Sequence, residues 1–247
     1  MWQNNSAAFA VICKYNMCFK EGNVLYRTKE LLNLKKTLAE EYLSMYVYPW
    51  QAISGIKELI LTLGGRLDKK EYEEISENVW AHKSAEIAPT AYLGAPCVIG
   101  RETQVRHCAF IRSAALIGKN CVIGNSTEIK NAIIFDEVQI PHFNYVGDSI
   151  LGYKSHLGAG AITSNVKSDR SFIRVKSDED IFETGLRKFG AIVGDGVEIG
   201  CNCVLNPGTV IGGGTSVYPL LNVRGVVPGN CILKSENCIV KKEQIYG

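Results

Sequence analysis

The sequence predicts an all-β fold, a parallel β-helix built from six-residue repeats. Every sixth residue from Ile87 to Ile129 is Ile, Leu or Val, and the residue four positions later is mostly small. Neither a helix nor a simple strand has a period of six, whereas a hexapeptide repeat is typical of a parallel β-helix. Three hexads are therefore expected to close one triangular coil of about eighteen residues. The eight aliphatic positions are Ile87, Leu93, Ile99, Val105, Ile111, Ile117, Ile123 and Ile129.

Composition narrows the class of protein. The 247 residues carry a formal net charge of +2, which gives no argument for binding nucleic acid or a membrane. The apolar stretch at residues 7–13 is too short for a signal peptide. Nine cysteines are scattered, and Cys97, Cys121 and Cys203 fall on the small interior position of hexads. We therefore expect a reduced, cytoplasmic protein without a metal site.

The segment before Ile75 precedes the repeat. Residues 1–27 are interpreted as an N-terminal extension. Leucines at helical spacing predict a helix over Lys29–Tyr46, and a second apolar pattern predicts a helix over Trp50–Leu63 that ends at Gly64. Residues 28–66 should thus form a helical pair, and the charged stretch Arg66–Glu77 a solvated connection.

The repeat predicts a β-helix over residues 75–247. Its phase slips by one after Ile129, which we interpret as residues bulged out of the coil. The polar stretch Val166–Gly190 breaks the repeat and is interpreted as an excursion, a hairpin arm. The hexads resume at Val193, and the tail after Val223 leaves the pattern. Because β-helices have flat sides, we expect a homotrimer with clefts between neighbouring subunits.

Two cations mark one candidate site. Arg112 and Lys130 are eighteen residues apart, which places them one coil apart on the same face, with Glu128 beside them. Two interpretations stay open: a surface network of Arg, Glu and Lys, or an anion site for phosphate or diphosphate. His142 should point away from the interior, either as an ordinary surface histidine or as a general base. The Gly-rich stretch 158–165 lacks the lysine of a phosphate-binding loop.

A resemblance to a known family runs through residues 125–165. The strings Glu128-Ile-Lys130, His142-x-x-Tyr145-x-Gly-Asp and Gly-Ala-Gly-x-Ile-Thr-x-Asn165 resemble the acetyltransferase half of the bifunctional glucosamine-1-phosphate acetyltransferase/N-acetylglucosamine-1-phosphate uridyltransferases. That resemblance implies a trimeric left-handed β-helix. It implies that Arg112 and Lys130 hold the phosphate of a sugar phosphate or nucleotide sugar, that His142 is the base supported by Glu128, and that Tyr145 and Asn165 line the sugar pocket.

The sequence departs from the family in several places. His156 stands where the family has a sugar-contacting Asn, and the excursion replaces the short loop after Asn165. On the coenzyme side only Lys234 matches the basic neighbourhood, Arg224 is a possible substitute, and Cys201 stands where the family has a small polar residue. Residues 1–75 contain nothing like the uridyltransferase half, so we expect no such activity from this chain alone.

The leading hypothesis from the sequence is an acetyl-CoA-dependent N-acyltransferase acting on a phosphorylated or nucleotide-linked amino sugar. The second hypothesis is a non-catalytic β-helix that binds nucleotide sugars, related to sugar nucleotidyltransferases. The third is an assembly module preserved only for trimerisation.

Overall fold

Strands stacked eight deep form the body of the protein. The structure is a computed structural model that describes residues 25–177, 180–236 and 238–242. Most of the expected N-terminal extension, residues 1–24, lies outside the described part. Parallel strands stack in three columns, so the predicted parallel β-helix is confirmed, with about eight coils.

The three columns of strands make three faces, taken here in the order in which a coil visits them. The first face contains Val79–His82, Cys97–Ile99, the second halves of Phe110–Ile117, Glu128–Ile134 and Tyr145–Leu151, then Ala191–Val193, Thr209–Ile211 and Val226–Val227. The second face contains Glu86–Ile87, Gln104–Val105, Val122–Asn125, Gln139–His142, His156–Leu157, Glu198–Ile199, Ser216–Val217 and Cys231–Ser235. The third face contains Tyr92–Leu93, the first halves of the same three long strands, Ile162–Thr163, Val204–Leu205 and Asn222–Val223.

The interior is filled by the aliphatic positions of the hexads. Ile99, Ile117 and Ile134 stack in consecutive coils and are fully buried. The cysteines expected at the small interior position are buried as well, and burial raises the pKa of the Cys97 and Cys121 thiols to about 12. These thiols therefore act as small apolar groups rather than as nucleophiles.

A cap of short helices covers part of the first face. It consists of the α-helices Thr28–Leu31, Glu40–Ser44 and Ile56–Gly64 and the 3₁₀ helices Leu34–Lys36 and Pro49–Gly55. The single helix predicted over Lys29–Tyr46 was wrong, because Asn33 and Thr37 adopt non-helical dihedral angles. Leu31, Leu32 and Leu43 are buried within the common core, and this packing outweighs local helix preference.

Both ends of the described β-helix are hairpins. Tyr72–Ser76 pairs antiparallel with Val79–His82, so the expected connection contains a strand, although its residues are mostly exposed as expected. At the other end Val226–Val227 and Cys231–Ser235 continue the coils, and Cys238–Lys241 pairs antiparallel with the latter, so the tail does not leave the pattern at Val223. Each hairpin covers an edge that parallel coils would leave open.

The phase slip reflects a change in coil length, and a bulged residue accompanies it, as predicted. Cys97 pairs with Ala115, Ala115 with Ala132 and Ala132 with Ser149. The second and third of these coils therefore each contain one residue fewer than the first. The coils are thus shortened. The next coil, from Ile150 to its partner Ile192, is more than twice as long because it contains the excursion.

The excursion is a hairpin of Arg174–Lys176 and Ile181–Glu183 that packs onto the body. Its residues Ile173 and Val175 are fully buried. Aromatic rings join it to the cap, since Tyr48 lies 5.9 Å from Phe182 and Trp50 lies 6.4 Å from Phe189, measured between ring centroids.

Candidate functional site

The three long strands turn from the third face to the first at a single residue each. These residues are Ala114, Asn131 and Asp148, and their φ angles lie between 49° and 51°. Asn and Asp tolerate this left-handed conformation because their short polar side chains bond locally. We call this edge the Asp148 corner.

Asp148 collects three side-chain donors at that corner. Its side chain is only 4% exposed and receives Lys130 Nζ at 3.1 Å and Asn131 Nδ2 at 2.8 Å. Asn165 Nδ2 donates to the second carboxylate oxygen of Asp148 and also to the Tyr145 hydroxyl, at 3.2 Å. Asn131 Nδ2 further donates to the Ile53 carbonyl of the cap. We call Lys130, Asn131, Tyr145, Asp148 and Asn165 the Asp148 cluster.

Arg112 enters this region by a bulge. Ile111 pairs with Ile129, but Ser113 pairs with Lys130, which leaves Arg112 as the extra residue. Arg112 and Lys130 therefore do not occupy the same point of adjacent coils, and the prediction made from their spacing was wrong. Arg112 instead donates to Glu128 at 2.9 Å, and this hydrogen bond raises the pKa of Arg112.

The four charges at this corner balance. Arg112 is offset by Glu128, and Lys130 by Asp148. An incoming anion must therefore share the two cations with carboxylates that already hold them. Burial, followed by the nearby Asp148 and Glu128 carboxylates, raises the pKa of the Tyr145 hydroxyl, which keeps it protonated and able to donate a hydrogen bond.

His142 lies at the corner between the second and third faces, which we call the His142 corner. Its side chain is exposed, and within the described residues its imidazole has no hydrogen-bond partner. Buried Asn144 fixes the backbone there: its side chain accepts the His142 N–H and donates to the carbonyls of Gly158 and Ala161. His142 and Tyr145 are three positions apart in the chain, so the imidazole and the Asp148 cluster flank the third face.

Two of the expected coenzyme-side residues share the His142 corner. The strand register places Cys201 two coils beyond His142, about 10 Å along the edge, and Lys234 two coils further. Both are exposed. Arg224 is not on this edge: it follows Val223 on the third face and lies three coils from Gly147 along the Asp148 corner.

His156 lies apart from the other predicted site residues of this chain. It pairs with Gln139 at the start of a second-face strand, about three residues, or about 10 Å, from the His142 end. Its Nδ1 is 2.9 Å from Glu198 Oε2. Glu128, expected to support His142, is hydrogen-bonded to Arg112 instead.

Sequence reasoning assigned no role to Asp148, Asn131 or Asn144. The signal was present for Asp148, because it lies eighteen residues after Lys130. Within the described ranges no three His, Cys, Asp or Glu side chains are grouped as a metal would require, and no described helix has the length and apolarity to cross a bilayer.

Comparison with known proteins gives sequence matches over most of the β-helix. Residues 96–212 match the family model described as the GMPPB C-terminal domain. The bifunctional protein GlmU of Methanococcus maripaludis strain C5 is 29% identical over 206 residues, 80% of this chain and 47% of that protein. The bifunctional sugar-1-phosphate nucleotidylyltransferase/acetyltransferase of Sulfurisphaera tokodaii is 34% identical over 90 residues, 36% of this chain and 22% of that protein. This chain thus spans less than half the length of these relatives.

The chain also matches solved structures, at low sequence identity and low TM-score. The acetyltransferase domain of PglB from Neisseria gonorrhoeae, in complex with acetyl coenzyme A, covers 65% of this chain and 56% of its own, with a TM-score of 0.35 and 14% identity. A perosamine N-acetyltransferase mutant from Caulobacter crescentus, in complex with CoA and GDP-perosamine, covers 62% and 50%, with a TM-score of 0.26 and 19% identity. The chain thus consists largely of hexapeptide repeats coiled into a parallel β-helix, and it is similar in sequence to part of the GlmU-type bifunctional acetyltransferase/nucleotidyltransferases.

Proposed function

We propose that the protein is an acetyl-CoA-dependent N-acyltransferase whose acceptor is an amino sugar carrying a phosphate or a nucleotide. The observation that carries the proposal is the imidazole of His142, exposed at one edge of the third face while the Asp148 cluster lies at the other. The relatives named as acetyltransferases support the same class of reaction.

His142 acts as the general base in this proposal. Its imidazole takes a proton from the acceptor amine, and the amine nitrogen attacks the thioester carbonyl of the acyl donor. The tetrahedral intermediate collapses, the amide forms, and the coenzyme leaves as a thiolate that receives the proton from the imidazolium. A backbone N–H of a neighbouring coil supplies the oxyanion contact.

The Asp148 corner positions the sugar in the same proposal. Arg112 and Lys130 bind the acceptor phosphate, while Tyr145 and Asn165 line the sugar pocket. The balanced charges support a ligand that joins the existing ion pairs rather than one that fills an empty cationic pocket. Acetyl-CoA extends along the His142 corner past Cys201 toward Lys234, and Arg224 and His156 serve the site only if a neighbouring subunit brings them to it.

A homotrimer completes the proposal. In one chain His142 and Arg112 are exposed to solvent. Exposed rings of Tyr92 and Phe110 continue the outer side of the third face beside them, 5.4 Å apart between centroids. A second copy packed on this face would enclose the site in a cleft and exclude water from the reacting groups.

One other candidate is a β-helix that binds a nucleotide sugar without catalysis, favoured by the coenzyme side, where Arg224 does not share the edge of Cys201 and Lys234. Calorimetry separates the two candidates, with acetyl-CoA and uridine-diphosphate-N-acetylglucosamine titrated separately. Binding of both ligands supports the acyltransferase. Binding of the nucleotide sugar with no detectable heat from acetyl-CoA leaves the binding protein.

The mechanism is tested at His142. Among amine acceptors that the wild-type protein acetylates, His142→Ala should lower kcat by about 10²–10⁴-fold and leave KM nearly unchanged, because the side chain moves a proton without holding the sugar. The control is His156→Ala, whose imidazole contacts Glu198 and should leave kcat unaltered unless a neighbouring subunit brings it to the site. Full turnover by His142→Ala would remove the mechanism.

A further inference from the structure

The base of the excursion carries an unbalanced set of cations. Lys167, Arg170, Arg187 and Lys188 lie within the segments that leave and rejoin the β-helix, and none forms an ion pair with a described carboxylate. Asp169 offsets one of the four charges, through its electrostatic interaction with Lys167. On the hairpin strands, by contrast, the arginine is paired, since Arg174 Nε lies 2.6 Å from Glu183 Oε1.

Contacts place two of these cations, Arg187 and Lys167, against the turn of residues 170–172, and Lys188 follows Arg187 in the chain. Arg187 Nη1 donates to the Arg170 carbonyl at 3.2 Å, and its guanidinium lies 4.8 Å from the centroid of the Phe172 ring. Lys167 Nζ donates to Ser171 Oγ at 2.8 Å and to the Phe172 carbonyl at 3.3 Å. Phe172 is 47% exposed. Like charges held together repel unless an anion compensates them, and an exposed aromatic ring beside them offers a stacking surface.

Two backbone hydrogen bonds join the base of the excursion to the Asp148 cluster. The Phe189 N–H donates to the Asn165 carbonyl at 3.0 Å, and the Gly190 N–H donates to the Asp148 carbonyl at 2.9 Å. Lys167 is two residues beyond Asn165, so their Cα atoms are at most about 7 Å apart. A ligand whose sugar touches Asn165 therefore has its next chemical group within reach of the base of the excursion.

We propose that the base of the excursion, formed by Lys167, Arg170, Phe172, Arg187 and Lys188, is a subsite for a nucleoside diphosphate. The cations hold the phosphate next to the nucleoside, beyond the phosphate that the proposed function assigns to Arg112 and Lys130, and Phe172 stacks on the nucleobase. A nucleotide sugar joins its diphosphate directly to the sugar, which matches the short reach from Asn165. The inference rests on the proposed function and narrows its acceptor to a nucleotide-linked amino sugar. Coenzyme A also contains a nucleoside diphosphate, so the test separates the two sources.

The experiment is calorimetry on the full chain with four ligands: uridine diphosphate, uridine-diphosphate-N-acetylglucosamine, N-acetylglucosamine-1-phosphate and coenzyme A. The test variant is the double substitution Arg170→Gln and Arg187→Gln, both at exposed side chains. The control is Arg174→Gln, which removes one positive charge from the same excursion but at a paired arginine. Thermal unfolding midpoints of the variants confirm that each remains folded.

The expected result is a loss of affinity of at least about thirtyfold for the two uridine ligands in the double variant, since each arginine loses a charge-assisted contact. The sugar phosphate, coenzyme A and the control should change by less than about threefold. Unchanged binding of uridine-diphosphate-N-acetylglucosamine overturns the subsite, as does an equal loss in Arg174→Gln. A loss confined to coenzyme A assigns the base of the excursion to the coenzyme and overturns the acceptor assignment.

The same titrations keep the two proposals apart. If the wild-type protein binds N-acetylglucosamine-1-phosphate and acetyl-CoA but no uridine ligand, the acyltransferase stands and the subsite falls. If uridine diphosphate binds and depends on Arg170 and Arg187 while acetyl-CoA does not bind, the subsite stands and catalysis falls.

Discussion

Asp148 illustrates how a single carboxylate organises a site that spans three coils. Among the described residues its oxygens accept hydrogen bonds from Lys130, Asn131 and Asn165. Burying an ammonium group next to a carboxylate is tolerable because each satisfies the other, and removing one partner exposes the full cost of the other. The corner therefore depends on the negative charge as well as on the shape of the side chain.

Replacing Asp148 by Asn should lower the free energy of unfolding by about 2–4 kcal/mol, because one amide oxygen cannot serve three donors and Lys130 loses its counter-charge. Urea unfolding measures the change. Asp136→Asn is the matched control: that carboxylate is also buried and beside a lysine, but Lys119 is half exposed and burial raises the pKa of Asp136, so its charge is worth less. Equal losses in both variants would contradict the special role of Asp148.

At the scale of elements, the hexads were predictable because each inward aliphatic residue sees the same environment in every coil. Ile99, Ile111 and Ile123 are all fully buried at the predicted phase. The cap was harder, since Leu31 packs next to Gly194, more than a hundred positions away. A local leucine pattern cannot report that packing, and it predicted one long helix where the chain bends twice.

The contact between Arg112 and Glu128 was hidden for a similar reason. Spacing alone placed Arg112 over Lys130, but coils of unequal length meet between them, and the extra residue is Arg112 itself. A change in coil length is visible in the sequence only as a phase slip. The strand that contains the extra residue is determined by how entire coils pair, which a phase slip in the sequence does not show.

Trp50 should be the residue that joins the cap to the excursion. Its side chain is 3% exposed, and its ring stacks on the rings of Tyr48 and Phe189, at 4.7 Å and 6.4 Å between centroids. Trp50→Ala should cost about 3–5 kcal/mol and should speed amide hydrogen exchange in both the cap and the hairpin, while the coils stay protected. Met45→Ala, on a side chain of the same cap that is 70% exposed, should change neither. Faster exchange in the cap alone would show that the two elements are independent.

At the scale of the whole molecule, the three faces differ in what they offer to a neighbour. The cap covers part of the first face. The second face presents polar side chains such as Gln139, His156 and Glu198 along its outer side. The third face carries exposed aromatic rings and is flanked by the candidate site. A second copy packed on this face would bury apolar area and would also enclose the site in a cleft.

Replacing both Tyr92 and Phe110 by lysine should therefore separate the subunits. Light scattering should give the wild-type protein three times the 27.2 kDa of one chain, and the double variant the mass of a single chain, because association would bury two unpaired charges per subunit. Leu38→Lys is the control, since Leu38 on the cap is 42% exposed and Phe110 is 41% exposed. If the cleft between subunits is the site, the double variant also loses uridine-diphosphate-N-acetylglucosamine binding although no residue of the Asp148 cluster has changed. A variant that stays trimeric, or a wild-type protein with the mass of one chain, would place the subunit contact elsewhere or remove it.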